Sequence, residues 1–279
     1  IASPACIPFG DWVEQLIAES TGKDGKGILP VVDEQLGLPD VYGHDRLFVN
    51  TFLKTENQPQ LDYLAAAGFP VIHIMLDDKY DIGGLFFLWE MATVVAGYCL
   101  NIQPFNQPNV ELAKNLARSS IQKYMDTGEL NEGEFAPLNA DTLTRFLGYA
   151  QSGSYIALQA YLAPSPEVDQ ALTTLQTHIR KLTKCPVTKG YGPRFLHSTG
   201  QLHKGDAGNG LFVQLVSQNV KDLAIPDEPG ERQSSMSFAV LKRAQALGDY
   251  QALLDVGRRV IRFLMPGDDI ESAIQQLIK

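Results

Sequence analysis

The 279 residues are enough for one large or two ordinary domains, and 44% apolar with 20% charged residues is the balance of a globular chain that buries a core. A net charge of -9 argues against a nucleic-acid partner, which needs a basic face. Any anionic ligand is left to local basic groups and helix N-termini. Cys6, Cys99 and Cys185 lie far apart without a CxxC pair, which reads as free thiols in a reducing, cytoplasmic compartment. No His/Cys cluster has metal-ligand spacing, so neither metal nor cofactor is expected. No signal peptide is read, and because the chain opens on Ile1 it is expected to be a piece of a longer polypeptide.

In chain order, Trp12, Val13, Leu16 and Ile17 form one apolar face over residues 10–21, a helix that Gly22 would stop. "GKGILPVV" and "RLFVNTFL" read as strands, "ENQPQLDYLAAAGF" as a helix, and "PVIHIMLD" as a buried parallel strand. The run "GGLFFLWEMATVVAGYCL" carries Glu90 and is short for a membrane span, so it predicts a buried helix and no membrane. After "NIQPFNQP" comes another helix, with Asn106 a cap and Pro108 in its first turn. The acidic, Gly/Pro-punctuated stretch 126–141 reads as a linker between an α/β unit over 1–125 and a second over 142–279. In the second, "SYIALQAYLAP", "GLFVQLVS" and "RRVIRFLM" are strands. "PEVDQALTTLQTHIRKLT", "SFAVLKRAQALGDYQALLDVG" and "DDIESAIQQLIK" are helices, and "IPDEPGERQSS" is a surface loop.

The stretch "AESTGKDGKG" looks like a phosphate loop but fails as one. Gly22-Lys23 is followed by Asp24, and the earlier glycine is missing. What remains is Gln15 and Glu19, four residues apart on one helical face: a carboxylate beside an amide can act as an oriented general base, or be an ordinary surface pair. His44 in "GHDRLFVN" titrates near neutrality and suits proton shuttling, although a loop histidine is also commonly solvated; His73, inside a strand, reads as a core histidine. Gln107, Glu111 and Lys114 open the helix after "NIQPFNQ"; the plain reading of Glu111 and Lys114 is an i, i+3 ion pair. "RFLHSTGQLHKG" gathers Arg194, His197, Ser198, Thr199, His203 and Lys204 among glycines. It is the best local anion-binding composition in the chain, or else a polar turn.

Taken in order, "WVEQLIAESTGKDGKG", "GHDRLFVNTF" and "GGLFFLWEMATVVAGYCLNIQPFNQPNVELAK" resemble the second sugar-isomerase (SIS) domain of glucose-6-phosphate isomerase, over residues 1 to about 120. "YGPRFLHSTGQLHKGDAGNGLFVQ" and "FAVLKRAQALGD" resemble the C-terminal region of transaldolase/glucose-6-phosphate isomerase fusions. The resemblance implies an SIS-type parallel-sheet three-layer domain followed by a second α/β domain. It implies interconversion of glucose 6-phosphate and fructose 6-phosphate through a cis-enediolate. Glu19 falls on the family's base, Gln15 and Gln107 on its substrate-contacting glutamines, and His44 and Lys114 on its ring-opening pair. Asn106 stands where the family has Asp, and Pro108-Asn109 where it has Trp-Gly. The partners implied are a sugar phosphate, the missing N-terminal SIS and transaldolase domains, and a homo-oligomer. The alternative is a non-catalytic phosphosugar-binding SIS module.

Overall fold

The computed structural model describes residues 1–56, 60–106, 110–130, 132–218 and 222–279; the side chains of 110–114 lie outside the description. The fold is α/β with parallel sheets. In chain order the helices are α1 (Ile7–Thr21), α2 (Asp62–Ala66), α3 (Ile82–Leu100), α4 (Val110–Thr127), α5 (Ala140–Leu147), α6 (Pro166–Thr183), α7 (Gly200–Gly205), α8 (Phe238–Asp255) and α9 (Ile270–Gln276). The strands are β1 (Phe48–Leu53), β2 (Val71–Leu76), β3 (Tyr155–Tyr161), β4 (Val187–Tyr191), β5 (Gly210–Ser217), β6 (Ala224–Ile225), β7 (Met236–Ser237) and β8 (Arg259–Met265). β1 and β2 pair in parallel; β4-β3-β5-β8 form a second parallel sheet; β6 and β7 make a small antiparallel pair.

The larger sheet sits at the centre of three layers. Because side chains alternate along a strand, Ile156, Leu158, Val213, Leu215 and Phe263 face α5, α6 and α9 in a wholly apolar core. Tyr155, Ala157 and Phe212 face the other way, onto Ala18 of α1, Leu202 of α7 and Leu253 of α8. A polar row crosses this second face. Gln159, Gln214 and Arg262 are cross-strand neighbours, and Arg262 Nε donates to Gln214 Oε1 at 2.8 Å. Helix starts follow their side chains. Ser165 accepts from Val168 N–H ahead of Pro166, Ser237 caps α8 from Val240 N–H, and Asn139 caps α5 from Thr142 N–H.

α1 belongs to both sheets. Its Phe9 and Val13 pack with Leu76 and Leu85 in the first core, where Trp12 and Phe86 rings meet edge-on at 4.5 Å. One turn on, Ala18 is in the second core. α4 likewise lies along α8.

Several expectations are corrected. α3 is not a buried helix: only Leu85, Thr93 and Gly97 are buried, while Phe87 is 65% and Tyr98 85% exposed. By length and composition Lys79–Leu100 passes for a membrane span, with 17% of that window buried. β2 is parallel but half open, with Ile72 and Met75 exposed. "GKGILPVV" forms no strand; Pro30 lacks the N–H a ladder needs. The helix expected from "ENQPQLDYLAAAGF" is confined to α2 among the described residues. α4 runs to Thr127 and α5 begins at Ala140, so regular structure enters both ends of the 126–141 stretch.

Candidate active site

The site grows from the C-terminal end of α1. Gln15 Nε2 donates to Glu19 Oε2 at 3.4 Å, the i, i+4 pairing the sequence spacing demands. Thr21 and Gly22 end the helix, the Gly22 N–H returning to Ala18 C=O at 3.1 Å. Gly22 is not left-handed (φ -75°); its need for glycine is steric. A Cβ there would stand 2.2 Å from Leu202 Cα. α7 crosses against the bare backbone, and Gln201 Nε2 donates to the Gly22 carbonyl at 2.8 Å.

The chain then reverses through Asp24 and Gly25, at φ 53° and 74°, with Lys23 and Lys26 bonded backbone to backbone on either side. Neither lysine of this loop is presented as a phosphate ligand. Lys23 is buried and its Nζ donates to the carbonyls of Gln103 and Pro104, at 3.0 and 2.8 Å. Lys26 Nζ donates to the Leu100 carbonyl, the last residue of α3, at 2.6 Å. Cations thus satisfy the orphan carbonyls at and beyond a helix C-terminus. In doing so they pull the turn after α3 beside Glu19: Trp12, Gln15, Leu16, Glu19, Ser20 and Pro104 line a cleft of about 280 Å³.

Burial pushes the Glu19 carboxyl above its ordinary value. Hydrogen bonding from Gln15 and the charges of His197 and Lys23 act in the opposite sense. Burial also lowers the Lys23 ammonium, against the pull of Glu19 and Asp24. A carboxylate raised by burial and oriented by an amide can both take and return a proton.

The segment 194–205 lies along α1 in parallel register. Arg194 pairs with Asp11 at 2.7 Å, Ser198 Oγ donates to Glu14 Oε1 at 3.2 Å, Gln201 reaches Gly22, and Gly25 N–H donates to Gly205 C=O at 2.9 Å. This brings His197 within electrostatic range of Glu19. Lys204 faces inward, in a buried ion pair with Asp249 at 2.6 Å. Thr199 is buried, and its carbonyl accepts from His203 N–H.

Of the residues singled out in the sequence, Glu19 and Gln15 come together, and the charge of the exposed His197 reaches Glu19. His44 does not join them. It is exposed, its ring stacked on Phe69 at 6.5 Å, and it takes no part in the Glu19 cleft. Arg194 and Lys204, candidates for binding an anion, each hold a carboxylate of this chain instead. Gln107 and Pro108 lie outside the described residues, as does the side chain of Lys114. Lys23 and Gln201 were not foreseen; the signal for Lys23 was its place four residues after Glu19, past the helix stop. Among the described residues no group of three His, Cys, Asp or Glu is placed to hold a metal ion.

No family model matches the chain. It is similar to a probable glucose-6-phosphate isomerase of Halobacterium salinarum, 29% identical over 153 residues, 41% of this chain and 35% of that protein. The glucose-6-phosphate isomerases of Latilactobacillus sakei and Lactiplantibacillus plantarum are 30% identical over 175 residues (46% and 38% of the two lengths) and 31% over 152 (40% and 34%). The chain therefore spans little more than a third of the length of these relatives. Among solved structures, a hypothetical protein of Thermus thermophilus aligns over 96% of this chain and 74% of its own, at a TM-score of 0.43 and 12% identity.

Proposed function

We propose that this chain carries the proton-transfer base of a glucose-6-phosphate isomerase, interconverting glucose 6-phosphate and fructose 6-phosphate. The observation that carries the reading is the Gln15–Glu19 pair, in a cleft beside the turn that leads to Gln107. The names of the relatives supply the substrate.

Aldose–ketose isomerisation removes a proton from C2 of the open-chain sugar and returns it to C1 through an enediolate. One carboxylate can do both if it faces the edge of the planar intermediate and is shielded from water. Glu19 is half-buried at the wall of the cleft, and Gln15 donates to its carboxylate. Opening the ring needs a group that moves a proton between ring and hydroxyl oxygens; the resemblance gives that step to His44, and His197, whose charge reaches Glu19, is a second candidate. The buried Lys23 ammonium places positive charge near the developing enediolate. The phosphate-holding loops we assign to the N-terminal SIS domain of a longer polypeptide, which would also cover the apolar outer row of α3. The resemblance of the second half to transaldolase fusions extends that polypeptide further, and the setting we propose is cytoplasmic.

The test is Glu19→Gln in a coupled assay of fructose 6-phosphate conversion, on this chain and on any longer polypeptide that carries it. Size and hydrogen bonding are kept and the base is lost. The expected fall in kcat is about 10² to 10⁴-fold, with folding unchanged. Undiminished turnover removes Glu19 from the chemistry; tight fructose 6-phosphate binding without turnover in the parent favours the non-catalytic phosphosugar module.

A further inference from the structure

On the side of α1 away from the Gln15–Glu19 cleft lies a much larger one, of about 1470 Å³, between the two halves of the chain. Glu14 lines it, together with Asp11, Arg194 and Ser198. Its carboxylate is half-buried and accepts the Ser198 hydroxyl at 3.2 Å. Asp11 faces it from its own helix, and Arg194 and Ser198 face it from the segment packed on top. Elsewhere in the cleft Lys189 is committed to Asp33 at 3.3 Å, and Tyr191 donates to Asp169 at 2.6 Å. The Arg194–Asp11 pair is exposed on both sides and so holds the segment weakly. Of the ties to Asp11 and Glu14 the Glu14–Ser198 bond is the less exposed, the buried Gln201–Gly22 bond lying further along, and it falls on the residue next to His197.

We propose that Glu14 is a positioning residue that seats Ser198, and through it the 194–205 segment with His197, against the helix bearing Glu19. Its consequence for turnover rests on the isomerase reading; its geometry does not. Burial pushes the Glu14 carboxyl up to about 7. The Ser198 bond opposes that rise because it favours the ionised carboxylate, which is the stronger acceptor.

Three variants test this: Glu14→Gln, which mimics the protonated acid, Glu14→Ala and Ser198→Ala. Each is measured by coupled isomerase kinetics from pH 5.5 to 9 and by hydrogen exchange of the 194–205 amides, corrected for intrinsic rates. Glu14→Ala and Ser198→Ala should each lose about tenfold in kcat, with KM within about twofold, because a displaced reacting group costs rate rather than binding. Their combination should lose no more than either alone. Glu14→Gln keeps an acceptor for the Ser198 hydroxyl and should retain kcat and amide protection better than Glu14→Ala. A parent-like kcat in Glu14→Ala, or a Glu14→Gln chain no better protected over 194–205 than Glu14→Ala, overturns the proposal. If this chain alone has no isomerase activity, the kinetics move to the longer polypeptide, whose inactivity would sink the function proposed above, and hydrogen exchange still decides the role of Glu14.

Discussion

The four-stranded sheet and the two-stranded sheet are both parallel, and they differ in how completely they are covered. Every residue of β3 and β5 is buried, with α5, α6 and α9 on one face and α1, α7 and α8 on the other. In the smaller sheet β2 leaves Ile72, His73 and Met75 exposed and buries Leu76. α3, the most apolar helix of the chain, turns Phe87, Met91, Val95 and Tyr98 outward. Parallel strands are ordinarily covered on both faces. The contrast teaches that hydropathy states which side chains gain from burial and is silent on whether a cover is present. The same hydrophobic patterning produced a closed core in one half and an open face in the other.

The comparison yields graded expectations. The largest effect should come from the closed core: Phe212→Ala removes a fully buried ring between Tyr155 and His203 and should cost about 3–5 kcal/mol in denaturant unfolding. Gly22→Ala tests the seam between the halves. Its Cβ meets the Leu202 backbone, so α7 must shift, at about 1–3 kcal/mol. Amides of 200–205 should then exchange faster; an unchanged rate would mean that the seam is looser than described.

A smaller effect belongs to Glu14. Its folded value, about 7, is above the ordinary 4.5, so the folded chain holds this proton when the unfolded chain has released it. That contribution to stability is full below pH 4.5 and is lost as pH rises to about 7. Glu14→Gln should cancel this slope and raise stability at pH 8 by about 1 kcal/mol, solvent screening of a half-buried group keeping the figure low. Smallest of all should be Phe87→Ala on the open face, within about 0.5 kcal/mol. A cost as large as that of Phe212 would show that the α3 face is packed in solution, and sedimentation velocity would then reveal the partner copy.

Where local chemistry decides, the sequence was readable. β5 and β8 are apolar runs between turn residues and fall where expected, and α6 starts at the Ser165-Pro166 cap. β4 escaped because "VTKGY" is short, largely polar and lies at the edge of its sheet. α5 escaped because its eight residues begin within the acidic, Gly/Pro-punctuated stretch 126–141. Within the site, the i, i+4 spacing found Gln15 and Glu19. The placement of His197, Ser198 and Gln201 on α1 did not follow from the sequence. It joins residues more than 170 positions apart, and no local pattern encodes which helix such a loop meets.

The division of α1 between two cores bears on how the chain is made. At the ribosome the helix with Glu19 emerges before the neighbours of Ala18: Tyr155, Ala157, Leu202, Phe212 and Leu253. The carboxylate is seated by residues made long after it. A premature stop anywhere before Leu253 would unmake the setting of that helix without altering a codon within it.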